Sequence, residues 1–380
     1  MIFERGRTNM SRFSPLSRAG VALLSTTAAA VGVFAAPAQA ASTGLVSVTY
    51  DKAAEAPYLV FKAGSGKRNS VVVSRSGRTL TIDDRVTLRA GKGCKAVKGD
   101  RTRVRCAIPA DLGGLSFTLG SGDDRITDTS GLGIFVKAGP GRDILVGGTG
   151  PDSLFGGTGS DRLYSNGGDD FLVGDTGHDT LVAGAGKDYL NGGNGNDLEY
   201  GGDGDDTLSQ GDETTATDAD RLSGGAGSDM VSYSGRQKAL SADADGVTGD
   251  DGRSGEGDTI ISAEYLVGGL GDDRLSGTAG ADHLSGLAGN DVILGNGGDD
   301  LIEDYAGVNR LDGGAGDDVI RGGRGNEVLL GGPGADQLFG DAGDDHLDGA
   351  QDATVDSLDG GPGTDDCVLN SDPDTLVGCE

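Results

Sequence analysis

The sequence predicts an all-β protein built mostly from one long array of short repeats. Three observations carry this reading. Gly fills 73 of the 380 positions, roughly 19% against roughly 7% in ordinary chains. Aromatics make up 4% and Trp is absent. That is too little for a conventional large core, because Gly packs nothing and loses the most backbone entropy on folding. From Ala138 onward the chain is written in nines, and a fixed short period marks a repeat architecture. Collagen would need Gly at every third position, and the spacing here is different.

Residues 1–40 read as a secretory signal peptide. Arg5, Arg7, Arg12 and Arg18 precede an Ala-rich apolar run from Ala19 to Ala36, and Ala38-Gln39-Ala40 supplies an A-x-A site for cleavage after Ala40. Ser, Thr and Gly break the run, which favours export over a membrane anchor. Met10 is an alternative start, and the absence of an Arg-Arg pair argues against the twin-arginine route. The mature chain is therefore expected outside the cytoplasm, without a membrane span. Its four cysteines then meet oxidant, and the pairs Cys94–Cys106 and Cys367–Cys379 are favoured because each closes a short local loop. Zinc is the alternative, against which stands the lack of close C-x-x-C pairs.

Charge divides the mature chain in two. Residues 41–118 carry 14 Lys+Arg and 6 Asp+Glu, and residues 119–380 carry 13 and 53, for nets of +8 and −40. In 41–118, apolar and polar residues alternate over short runs such as Leu45 to Tyr50, Val71 to Val73 and Leu80 to Ile82. This predicts a small basic β domain, with a disulfide-closed hairpin turning at Lys98-Gly99-Asp100-Arg101. Its cations either form a solvated face or meet an acidic cell-envelope or extracellular polymer. The overall charge of −29 excludes a nucleic-acid partner.

Residues 119–232 hold the first array. It includes AGPGRDILV, GGTGPDSLF, GGTGSDRLY, SNGGDDFLV, GDTGHDTLV, AGAGKDYLN, GGNGNDLEY and GGDGDDTLS in unbroken succession from Ala138 to Ser209. Residues 268–368 hold the second, from GGLGDDRLS to GGPGTDDCV, and residues 369–380 form a cap closed by the Cys367–Cys379 bridge. The pattern is G-G-x-G-x-D-x-U-x, where U is Leu, Ile or Val. The Gly positions suit sharp turns and close approach, the single apolar residue suits an inward ladder (Leu145, Leu154, Leu163, Leu172, Leu181, Leu190), and the carboxylate is a hard oxygen ligand for Ca²⁺.

These nonapeptides resemble the RTX (haemolysin-type) calcium-binding repeat family. The resemblance implies a right-handed parallel β-roll with two nonapeptides per coil and Ca²⁺ held between coils. Mapped onto this chain, the implied metal ligands are Asp124, Asp143, Asp152, Asp161, Asp170, Asp179, Asp188, Asp197, Asp206 and Asp229 in the first array. In the second they are Asp273, Asp282, Asp291, Asp300, Asp318, Asp336, Asp345 and Asp365. One apolar residue in nine is too thin a core to offset the ordering of its repeat, and the stacked carboxylates repel, so metal is expected to complete the fold.

Four departures carry further expectations. On one side of the second array Asp282, Asp300, Asp318 and Asp336 are intact, whereas the other runs Asp273, Asp291, Asn309, Glu327, Asp345, so metal beside Asn309 or Glu327 is expected to be weak or missing. Glu199 occupies an inward apolar position, and a one-residue shift that turns Leu198 inward is expected to relieve it. Residues 233–267 break the period and read as an inserted or distorted connector, against which Phe155, Phe171 and Tyr189 could dock. A cleavable N-terminal signal also differs from the uncleaved C-terminal signal of many family members. Neither H-E-x-x-H nor G-x-S-x-G occurs, and His178, His283 and His346 all lie at variable repeat positions. The chain therefore reads as a non-enzymatic, secreted calcium-binding scaffold. The alternatives are a cryptic hydrolase or polysaccharide-modifying enzyme on the roll, or a calcium-dependent adhesin using the basic domain.

Overall fold

The computed structural model describes residues 43–51, 56–64, 66–211, 218–350, 354–368 and 374–379; the signal-peptide expectation for 1–40 lies outside them. Every regular element among the described residues is a β-strand. Among these residues no helix is long and apolar enough to cross a membrane.

Each coil consumes two nonapeptides. Leu145 pairs in parallel with Leu163, and Leu163 with Leu181, while on the opposite face Leu154 pairs with Leu172 and Leu172 with Leu190. Strand side chains alternate between faces, so the residue at position eight points inward and its two neighbours outward. All six of these Leu side chains are fully buried, and Leu275, Leu284, Ile293, Ile302, Leu311 and Ile320 continue the columns in the second array. This is the parallel β-roll that the repeat implied.

The charge boundary at 118/119 falls inside continuous sheets. Ala56–Lys62 pairs in parallel with Gly114–Thr118, which pairs with Ile134–Pro140 and so leads into the first array. On the other face Ser70–Ser76 pairs in parallel with Arg125–Thr129. Antiparallel partners Gly44–Asp51 and Thr79–Asp83 flank these strands, and larger side chains (Phe61, Phe117, Ile82, Val104) fill the core there. The roll thus begins at a packed antiparallel end, which covers the apolar column that its first coil would otherwise expose.

Both disulfides are the local pairs. Cys94–Cys106 joins strands Cys94–Val97 and Asp100–Ala107, which turn at Lys98-Gly99. Cys367–Cys379 ties the last coil, where Thr375–Val377 pairs with Ser357–Asp359.

Residues 233–267 leave one face unbroken and interrupt the other. Met230–Ser232 pairs with Tyr265–Val267, and that strand with His283–Ser285, so one sheet runs through. Opposite, the sheet that includes Arg221–Ala226 ends at Thr259–Ile261, and a new one opens with Gly252–Arg253 antiparallel to Leu240–Asp243, which pairs in parallel with Arg274–Ser276. Two large buried side chains fill the junction. The Arg236 Nη1 donates to Glu256 Oε1 and Oε2 at 2.7 and 2.9 Å, and its guanidinium lies 5.4 Å from the Tyr233 ring. The outer aromatics pack on one another instead: Phe135, Phe155, Phe171 and Tyr189 form a ladder with ring separations of 5.3, 5.7 and 4.7 Å.

Candidate metal centres

The sixth-position Asp of each repeat sits at the corner between the Gly turn and the strand. Its side chain turns inward there, and the 18-residue coil stacks it on its equivalents. One oxygen, Oδ1, is used by the fold. The main-chain N–H of Asp143 donates to Asp161 Oδ1, that of Asp161 to Asp179 Oδ1 and that of Asp179 to Asp197 Oδ1, each at 2.7 Å. Asp152, Asp170, Asp188, Asp206 and Asp229 form the same chain on the opposite face. In the second array Asp282 donates to Asp300, Asp300 to Asp318 and Asp318 to Asp336. Across from them, Asp273 donates to Asp291, and Asp345 to Asp365. Asp124 begins the first row, accepting from Asn69 and donating to Asp143.

The second oxygen is left over. Oδ2 of Asp143, Asp161, Asp179, Asp188, Asp197, Asp206, Asp300 and Asp318 is buried with no hydrogen-bond partner. Asp152, Asp273 and Asp282 differ, because Oδ2 there accepts an N–H from its own turn: Gly148 at 2.8 Å, Gly269 at 2.5 Å and Thr278 at 2.5 Å. An unpaired buried carboxylate oxygen is costly, and a whole row of them fits a cation.

The glycines make the room. A β-carbon on Gly156 would lie 2.5 Å from Asp161 Oδ2 and 2.9 Å from the Gly174 carbonyl oxygen. On Gly268 it would lie 2.6 Å from Asp273 Oδ2 and 3.0 Å from the Gly286 carbonyl, and on Gly277 2.7 Å from both Asp282 Oδ2 and the Gly295 carbonyl. Each position-one glycine therefore lies beside one carboxylate oxygen of its own repeat and one carbonyl oxygen of the next coil, the kind of oxygen donors that Ca²⁺ takes. The donors are all oxygen, which suits Ca²⁺ and not a soft metal. Position four must also be Gly: Gly159 and Gly177 have φ of +131° and +149°, and a side chain there would strike the carbonyl of the Gly one coil earlier.

The electrostatics favour a cation beside these rows. Burial, followed by the carboxylates of adjacent coils, pushes Asp143, Asp179, Asp188 and Asp300 up to about 7, although each accepts an N–H that pulls the other way. Asp220 rises to about 9, through burial and then Asp258.

Several members of the rows escaped the sequence reading. Asp197 donates to Asp220 Oδ1 across 23 residues, Asp220 to Asp258 Oδ1 across 38, and Asp229 to Glu264 Oε2 across 35. Asp336 donates to Asp356, and Asp356 to Asp374. The available signal was the triplet D-x-(Leu/Ile), as in Asp220-Arg221-Leu222 and Asp356-Ser357-Leu358, with the preceding glycines lost.

Glu199 corrects an expectation. It pairs in register with Leu181 and Leu222, is fully buried, and leaves Leu198 outside. A one-residue slip would turn the whole strand over, and the neighbours on both sides hold it. Its Oε1 accepts from Gly192 N at 2.8 Å and Gln210 Nε2 at 3.0 Å, and burial raises it to about 8. A folded pKa above the usual 4.5 stabilises the fold at low pH, and that contribution disappears as pH rises through 8. Glu199→Gln keeps the acceptor without the charge. In calcium, its melting temperature should exceed wild type by several degrees at pH 9 and by clearly less at pH 6, because the loss accumulates between 4.5 and 8; an equal difference at both pH values would refute this.

The three histidines lie apart from one another. His178 is exposed and accepts the Asn196 N–H at 2.9 Å. His283 stacks on Tyr265 at 4.0 Å, and burial lowers its pKa. His346 lies 2.9 Å from Asp366.

Parallel coils, a thin apolar column and rows of buried carboxylates beside glycine turns define a calcium-binding structural repeat protein. The family profile described as the RTX calcium-binding nonapeptide repeat (4 copies) matches residues 138–172, 173–208, 215–234, 267–302, 294–326, 305–338 and 321–355. Through its repeats across 138–355 the chain belongs to the RTX calcium-binding repeat family, and such repeats bind Ca²⁺. No curated protein matches the chain.

Proposed function

We propose that this chain is a secreted scaffold that folds when it meets extracellular Ca²⁺, with the sixth-position carboxylates as its ligands. The observation that carries the reading is the unpaired, buried Oδ2 repeated beside a glycine turn in coil after coil. Bound calcium would supply positive charge and accept lone pairs from the oxygens around it. The chain's own residues do the rest: Oδ1 fixes the carboxylate by accepting an N–H from the adjacent coil, Oδ2 and a carbonyl oxygen face the ion, and the absent side chain at position one keeps the space open. Before export the same carboxylates repel one another, which favours an unfolded, transportable chain in a calcium-poor compartment.

The basic end of the roll supports a surface role. Arg85, Arg89, Lys92, Lys95, Lys98, Arg101 and Arg105 are exposed there, while the remainder is strongly acidic. An acidic cell-envelope or extracellular polymer is the partner this end fits. The test is export and retention. The exported chain should begin at Ala41, and the folded protein should sediment with cell envelopes in calcium and be released by EGTA. Recovery of the full precursor in the cytosol would refute secretion. Hydrolysis of a polysaccharide by the purified chain would favour the enzymatic alternative.

A further inference from the structure

Asn309 interrupts the row Asp273, Asp291, Asn309, Glu327, Asp345. Its Oδ1 still accepts the Asp291 N–H at 2.9 Å, so the structural half of the carboxylate's task survives. The other half does not: Nδ2 takes the place of Oδ2 and is buried without a partner. An amide nitrogen offers no charge and no lone pair to a hard cation.

The same nonapeptide, Asp304-Tyr305-Ala306-Gly307-Val308-Asn309-Arg310-Leu311-Asp312, carries a second irregularity. Its first position is Asp304, where the other repeats of the second array have Gly. Asp304 is only 3% exposed. Oδ1 accepts the N–H groups of Tyr305 and Ala306 at 2.6 and 3.1 Å, and Oδ2 is buried with no hydrogen-bond partner. That oxygen reaches back one coil. A β-carbon on Gly286 would collide with Asp304 Oδ2 and lie 2.5 Å from Asp291 Oδ2, itself buried and unpartnered. One coil earlier, at Gly268, the corresponding space is bounded by Asp273 Oδ2 and the carbonyl oxygen of Gly286.

We propose that Asp304 and Asp291 form a non-consensus calcium site in which the carboxylate lost from position six is supplied from position one of the same repeat. Two carboxylates face the space, where a regular position has one carboxylate and one carbonyl oxygen, and the second arrives from the turn and not from the strand corner. The site replaces a backbone carbonyl with a side chain that the same turn already orients through Tyr305 and Ala306. The metal expected from sequence to be weak or missing beside Asn309 is thereby restored. This proposal rests on calcium binding by the regular rows and adds a ligand to them.

The experiment uses the full mature chain, with bound ions counted by native mass spectrometry during calcium titration. Asp304→Asn keeps the oxygen that caps the turn and removes the charge; it should bind one ion fewer than wild type and melt lower in calcium. Asp304→Asn with Asn309→Asp returns the charge to position six and should recover the ion. A role confined to the turn predicts no change in ion count. If wild type binds calcium and Asp304→Asn binds as many ions with equal affinity, this proposal fails alone. Failure of the double variant to recover the ion also overturns it. A wild-type chain that binds no calcium overturns the regular rows as well.

Discussion

Removing calcium from the mature chain should abolish its β structure. Far-UV circular dichroism in excess EGTA at neutral pH should show coil, and adding millimolar calcium should restore the β spectrum. The reason lies in the balance of one buried aliphatic residue per repeat against rows of buried carboxylates. A site occupied at ten times its dissociation constant contributes about 1.4 kcal/mol, so ten such sites contribute about 14 kcal/mol. The net stability of a domain is typically about 5–15 kcal/mol, so the ions outweigh the margin. The disulfide-tied antiparallel end around Phe61 and Phe117, whose core is filled by buried aromatic and aliphatic side chains and not by carboxylate rows, should be the last part to melt. A strong β spectrum unchanged by EGTA would refute the dependence.

Acid should substitute for calcium. Asp143, Asp152, Asp179, Asp188 and Asp300 rise to about 7, and Asp161, Asp197, Asp206, Asp273 and Asp318 to about 6, burial being the first cause in every case. Each value lies above the 3.8 of an ordinary Asp, so the folded state binds more protons than the unfolded one. The stability this confers is complete below about pH 4 and is lost as pH climbs through 6 and 7. A calcium-free, dialysed chain should therefore show more β structure at pH 5 than at pH 8. Calcium affinity should run the opposite way, because ligation requires the ionised carboxylate. A calcium-free β signal that is flat or rises between pH 5 and 8 would refute the argument.

Much of the fold was legible because the repeat is local. Nine residues specify a turn, an inward apolar side chain and a carboxylate, and copying that unit copies its geometry, so the columns through Leu145 and Leu154 could be read directly. The disulfides were legible for the same reason, each joining cysteines 12 residues apart. Where spacing changes, local information fails. Asp220 and Asp258 stack although 38 residues separate them, and Asp229 meets Glu264 across 35. A lone D-x-Leu triplet is too short to announce such a partner.

By itself, then, the sequence determined the class of fold, the cation chemistry, the two disulfide pairs and the residues that face inward. Only the tertiary structure decided what happens at the irregularities. It kept Glu199 inward, because Leu181 and Leu222 fix its strand from both sides. It carried one sheet through 233–267 while ending the other. It also turned Asp304 towards Asp291, a relation that becomes visible only when coils are stacked. The physical reason is common to all three: a repeat encodes its own turn and strand, whereas contacts between coils depend on which neighbour the whole stack places above and below.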